Sequence, residues 1–205
     1  MGILPWYHSL GMSLTLLWSC CTASRLVCIP DPRAGNPPFT EVLKAVQKYK
    51  ATIIIGVPTI FVAFTNHALI HQFDLSSVIA CGSGGAPLPV EVAKQFEEKT
   101  GAIIFEGYGL SETGPLVSAN PTNKENRKFG SVGIPIPGTD IKILDLEKGE
   151  TELPQGEDGE IAVSGPQVTQ GYWNREEENQ AAFRQINDQR FFLTGDIGHL
   201  ASDGF

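Results

Sequence analysis

The 205-residue chain is 41% hydrophobic and 19% charged, a balance that supports a folded core and excludes disordered and collagen-like classes. Fifteen Lys and Arg against 23 Asp and Glu leave a net charge of −8, so a nucleic-acid backbone or an anionic membrane surface is a poor electrostatic partner. The cysteines, Cys20, Cys21, Cys28 and Cys81, form neither a CxxC pair nor a zinc-ligand spacing. Three of them fall in apolar stretches, which predicts buried, reduced thiols and a cytoplasmic location.

No Asp, Glu, Lys or Arg occurs in the first 24 residues. The apolar run from Leu10 to Ala23 lacks the basic flank of a signal peptide and is too short and too rich in Ser, Thr and Gly for a membrane span, so it reads as a buried core helix. A strand is predicted over Arg25 to Ile29, a loop over Asp31 to Pro38, and a helix where Phe39, Val42, Leu43, Val46 and Tyr49 recur at helical spacing behind a possible Thr40 cap. Ala51 to Val57 and Val78 to Cys81 read as strands buried on both faces, Thr59 to Leu69 and Pro89 to Lys99 as helices, and Gly101 to Phe105 as another strand. This alternation predicts an α/β fold with a mostly parallel sheet flanked by helices, whose ligands bind beyond the carboxyl ends of the strands. Past a polar stretch at 120–128, short Gly- and Pro-punctuated strands (134–137, 140–145, 159–164 and 190–194) and one helix (175–183) predict a small antiparallel β-barrel-like subdomain. The expected division is 1–125 and 126–205.

Three segments at strand ends carry candidate chemistry. Cys81 to Pro89 contains Gly82-Ser83-Gly84-Gly85-Ala86-Pro87, small enough to admit a flat ligand or another backbone, and equally readable as a tight strand-to-helix turn. Glu106 to Gly114 displays Tyr108, Ser111, Glu112 and Thr113 on a Gly-flexed loop. An aromatic ring stacks on a base, hydroxyls and N–H groups hold phosphate oxygens, and a lone carboxylate holds Mg²⁺ that keeps part of its water shell. The plainer alternative is a solvent loop with Ser111 capping a helix. Thr194-Gly195-Asp196 ends a strand with a carboxylate suited to a ribose diol, although an ordinary β-turn explains the tripeptide as well. His8 precedes the first helix and is either a core histidine or a group beside an anion.

Taken in order, His8-Ser-Leu-Gly-Met, Gly84-Gly-Ala-Pro-Leu, Gly107-Tyr-Gly-Leu-Ser-Glu-Thr, Gly159-Glu-Ile, Gly171-Tyr-Trp and Thr194-Gly-Asp resemble the adenylate-forming (AMP-binding) superfamily, above all its medium- and long-chain fatty acid acyl-CoA synthetases. The usual YGxTE motif carries Ser111 in place of Thr, which keeps the hydroxyl and removes a methyl. The resemblance implies activation of a carboxylic acid by ATP to an acyl-adenylate, then transfer to CoA, with ATP/AMP, Mg²⁺ and CoA as the small-molecule partners. Position by position it implies Tyr108 stacking on adenine, Ser111 at the α-phosphate, Glu112 on Mg²⁺, Asp196 on the ribose and His8 beside the reacting carboxylate. Gly84, Gly85, Ala86, Pro87 and Gly107 would line the pocket.

The superfamily's phosphate loop ending in Pro-Lys-Gly is expected before Ile3, and its hinge and C-terminal lysine domain after Phe205. The resemblance thus implies an internal fragment of the large domain, inactive by itself. Asp and Glu are absent from Ile3 to Ile29 and from Ala51 to Phe73, which favours an uncharged acyl tail over an amino acid. Aromatic-acid CoA ligases and amino-acid adenylation domains are the alternatives within the class, and a non-catalytic nucleotide-binding module is the alternative outside it.

Overall fold

A computed structural model describes residues 1–205. The apolar N-terminal run is helical but not uniform: α1 (Ser9–Gly11) passes into a π-helical turn (Met12–Leu17) and then α2 (Trp18–Cys21). It is not the buried core helix that its composition suggests, because Met12, Leu17 and Trp18 remain exposed while Leu10, Gly11 and Thr15 are buried. No helix is long and apolar enough to cross a membrane. The stretch predicted as a strand at 25–29 makes only one parallel bridge, Gly2 with Cys28.

The next elements follow the predicted alternation. Helix α3 (Thr40–Tyr49) buries Val42, Leu43 and Val46 on one face, and α4 (Pro58–Thr65) starts on a proline whose missing N–H costs nothing at a helix start. Thr40 does not cap α3; its hydroxyl donates back to Pro37 O, and Phe39 takes the left-handed conformation at the helix entry. Helix α5 (Val90–Thr100) turns Ala93 and Phe96 inward and stops at Gly101, whose φ of 75° lets its N–H close on Glu97 O. Strands β1 (Ile53–Gly56), β2 (Ala80–Ser83) and β3 (Ile103–Tyr108) pair in parallel, and β4 (Ser118–Ala119) and β5 (Ile134–Pro135) extend the sheet antiparallel in the order β1-β2-β3-β4-β5. Phe61 and Phe96 meet edge-to-face at 5.4 Å beneath it, in a core shared with Val42, Phe64, Cys81 and Ile104.

The second unit is a four-stranded antiparallel sheet in the order β6-β7-β9-β8, built from β6 (Asp140–Leu144), β7 (Gly159–Ser164), β8 (Phe183–Ile186) and β9 (Gln189–Gly198). It is an open sheet with β6 and β8 as its edge strands, not the barrel-like unit expected from strand spacing, because four strands leave no return pairing to close it. Helix α6 (Glu176–Ala182) precedes β8. Ile134–Pro135 pairs with β4, so the change from one sheet to the other falls between Pro135 and Asp140.

The cysteines also depart from expectation: Cys20, Cys21 and Cys28 are exposed and only Cys81 is buried. Cys20 and Cys21 follow the exposed Leu17 and Trp18 at the end of the 9–21 helical run, and Cys28 points outward beyond its exit although Ile29 beside it packs on the core. Burial pushes the Cys81 thiol up to about 12. A thiol reagent should therefore modify three cysteines in the native chain and the fourth only in denaturant; four fast-reacting thiols would contradict this packing.

Candidate functional site

Beyond the carboxyl ends of β1, β2 and β3 lies a cavity of about 700 Å³. Its wall is mostly apolar, with Leu10, Leu14, Trp18, Ile55, Phe105 and Leu116 among its residues. Glycines at 82, 84, 85, 107 and 109 make up much of the remainder. Gly109 is required there, since a Cβ on it would stand 2.0 Å from Pro115 O. Gly109→Ala should cost about 1–3 kcal/mol in urea unfolding through the backbone shift it forces, and an unchanged midpoint would show that the loop accommodates it freely.

The polar residues gather at one side of this cavity. His8 caps α1 by accepting the Leu10 N–H on Nδ1 at 3.1 Å, so its ring is no core histidine and the neutral form carries its proton on Nε2. Ser111 opens a 3₁₀ turn (Ser111–Thr113) and bonds to the Ser9 hydroxyl at 2.9 Å rather than capping a helix. Glu112 accepts the Tyr172 O–H at 2.9 Å through Oε1, and its backbone carbonyl accepts the Thr169 N–H. Burial and the Glu112 carboxylate raise the Tyr172 phenol, which keeps it a donor. Glu112 also borders a second, open cavity on the side of α6 and β9.

Tyr108, at the end of β3, donates to Asp196 Oδ2 at 2.6 Å. Asp196 does not sit in a β-turn. It lies inside β9, where β7 presents only Ile161 between the pairs Glu160–Ile197 and Ala162–Leu193 while β9 presents Thr194, Gly195 and Asp196. This bulge aims the carboxylate away from the ladder, with Gly195 at φ 76° and its N–H held by Glu160 Oε1. Tyr108–Asp196 thus links the two sheets directly, and Glu112–Tyr172 links the turn after β3 to the loop before α6.

Not every predicted residue joins the cavity. His8, Gly84, Gly85, Gly107, Ser111 and Glu112 line it, whereas Tyr108 and Asp196 form their pair outside its wall. Ala86 and Pro87, expected in the lining, are exposed and lie off it, because the chain turns at Gly85 (φ 82°) and heads for α5. Ser9 and Tyr172 were not legible as site residues. Tyr172 lies in the quoted Gly171-Tyr-Trp motif, 60 positions from the glutamate it touches. Glu106, partly buried with its carboxyl raised by that burial, anchors the small-residue loop by accepting the Leu88 N–H at 2.9 Å.

The sequence pattern of the family described as AMP-binding enzyme matches residues 1–173. The chain belongs to this family. It is 41% identical, over all of its length and 35% of the relative's, to the long-chain-fatty-acid–CoA ligase of Bacillus subtilis. It is 38% identical to the probable 4-coumarate–CoA ligase 1 of Dictyostelium discoideum, covering all of this chain and 36% of that one. Among solved structures, ATP-bound MatB from Rhodopseudomonas palustris superposes with a TM-score of 0.85 at 30% identity, over 99% of this chain and 38% of that one. The chain therefore spans about a third of the length of the curated relatives it matches.

Proposed function

We propose that this chain supplies the nucleotide- and acyl-binding face of an AMP-forming acyl-CoA synthetase acting on a carboxylic acid with an uncharged, fatty tail. The observation that carries the reading is the convergence of Ser111, Glu112 and His8 on the edge of a cavity whose remaining wall is apolar side chains and glycine apart from Ser9 and Ser83, with the Tyr108–Asp196 pair beside it. The two-subdomain division, with the site at the seam, accompanies this reading. The chemistry is attack of the substrate carboxylate on the α-phosphorus of ATP, releasing pyrophosphate, followed by displacement of AMP by the CoA thiol.

Each side chain has a defined task. The Tyr108 ring offers a face for adenine, and Asp196 accepts from the ribose hydroxyls. Ser111, its oxygen fixed by Ser9, donates to an α-phosphate oxygen. Neutral His8 presents Nε2–H toward the carboxylate, so it orients the nucleophile without removing a proton that a carboxylate does not carry. Glu112 fits Mg²⁺ as a single carboxylate ligand: Tyr172 occupies Oε1, and no group of three His, Cys, Asp or Glu forms a protein-only metal cage. Mg²⁺ held there would draw its other ligands from phosphate oxygens and water and would neutralise charge building on the phosphates. The absence of any acidic side chain in the cavity wall other than Glu112 argues against a substrate ammonium.

Three non-hydrolysable adenylate analogues, carrying octanoyl, 4-coumaroyl and phenylalanyl groups, test the substrate class by calorimetric titration. The octanoyl analogue should bind at least tenfold more tightly than the phenylalanyl one, whose ammonium meets no partner. Preference for 4-coumaroyl over octanoyl would move the assignment to aromatic acids, in line with the 4-coumarate relative.

A further inference from the structure

We propose that the Tyr108 hydroxyl, beyond the ring, is a positioning element for ribose recognition: it fixes Asp196 in the rotamer that leaves one carboxylate oxygen free for the ribose diol. The inference rests on the nucleotide reading above and assigns a separate task to one atom of Tyr108. Its basis is geometric. Tyr108 and Asp196 are 88 positions apart and belong to different sheets, yet the phenol reaches Asp196 Oδ2 at 2.6 Å. Asp196 Oδ1 has no protein partner, and the bulge backbone holds the residue from below through Asp196 N–H to Thr194 Oγ1 at 3.1 Å and Thr194 Oγ1 to Ile161 O at 2.8 Å.

An exposed aspartate on a bulge has several rotamers of similar energy, and each must be abandoned when a ligand selects one. A charge-assisted O–H···O⁻ bond of this length selects one beforehand. A carboxylate has about four lone-pair positions, so accepting from Tyr108 through Oδ2 leaves Oδ1 able to receive a vicinal pair of hydroxyls. Burial and the neighbouring Asp196 charge raise the Tyr108 phenol, so it stays a donor throughout the ordinary pH range. The link also makes the ribose contact depend on the second sheet lying against the first, since the donor and the acceptor come from different sheets.

Tyr108→Phe keeps the stacking ring and deletes the one oxygen. Titration of the 205-residue chain should show AMP bound about tenfold more weakly by Tyr108→Phe than by the parent. The affinity of 2′,3′-dideoxy-AMP, which lacks the diol, should be the same for both. In an Asp196→Ala background the Tyr108→Phe change should have no further effect on AMP, a non-additivity that a merely structural tyrosine would not produce. Equal weakening for AMP and its dideoxy form, or additive losses in the double variant, would overturn the positioning role while leaving the nucleotide site intact. Failure of the folded parent to bind AMP at all would overturn both.

Discussion

Glu112→Gln should leave the chain folded and reduce its affinity for ATP in the presence of Mg²⁺ by at least tenfold, about 1.4 kcal/mol. The amide oxygen still accepts the Tyr172 O–H, so the contact between the two units survives, and only the negative charge is lost. Mg²⁺ is a hard cation bound through few carboxylates, and removing the single one at this site removes a large share of its protein-derived field. The control is ATP in the presence of a chelator, where parent and variant should bind equally. Equal Mg²⁺-dependent affinity in both would remove Glu112 from the metal role.

Arg127→Ala should destabilise the chain by about 3–5 kcal/mol in urea unfolding, because it strands a buried carboxylate. Arg127 and Glu97 have side chains only 5% and 12% exposed and form a two-pronged pair, and Arg127 also donates to Ile104 O. Its guanidinium lies 4.2 Å from the Phe129 ring. Burial works against the Glu97 charge, but Arg127 and the Ile104 N–H outweigh it, leaving the carboxyl below its ordinary value. A lowered carboxyl stabilises the fold above the ordinary carboxylate range and loses that contribution as pH falls through the folded value, so Arg127→Ala should flatten the acid limb of the stability profile. A double change, Glu97→Leu with Arg127→Met, should recover most of the loss, since an apolar pair needs no mutual compensation. A loss below 1 kcal/mol for Arg127→Ala would mean that water reaches Glu97.

The pair also illustrates what a linear sequence hides. Arg127 sits in a stretch of polar residues that reads as a linker, and nothing local distinguishes it from Lys124 or Lys128. Its role follows from α5 presenting Glu97 at the right turn, a relation across 30 positions. The parallel β1-β2-β3 unit, by contrast, was legible because each strand is a short apolar run closed by Pro, Gly or a helical pattern. The π-helical turn at Met12–Leu17 was not, since apolar composition reports burial and not hydrogen-bond spacing.

Strand β8 was missed for another reason: its hairpin turns on Asn187 and Asp188, both at positive φ, and Asn-Asp is a weaker turn signal than Asn-Gly. At the site, residue types and order exposed Ser111, Glu112, Tyr108 and Asp196, but not their pairing. The bulge that aims Asp196 requires a register mismatch between two strands, which no single strand encodes. Tyr172 joins Glu112 for the same kind of reason, since its contact depends on how the second sheet lies against the first.

The most direct test of the nucleotide reading is titration of the folded 205-residue chain with a non-hydrolysable octanoyl-adenylate analogue, alongside Asp196→Ala and Ser111→Ala. The parent should show saturable one-to-one binding, weakened at least tenfold in each variant while the thermal midpoint stays within a few degrees. A folded parent that shows no binding, or binding indifferent to both substitutions, would contradict that reading.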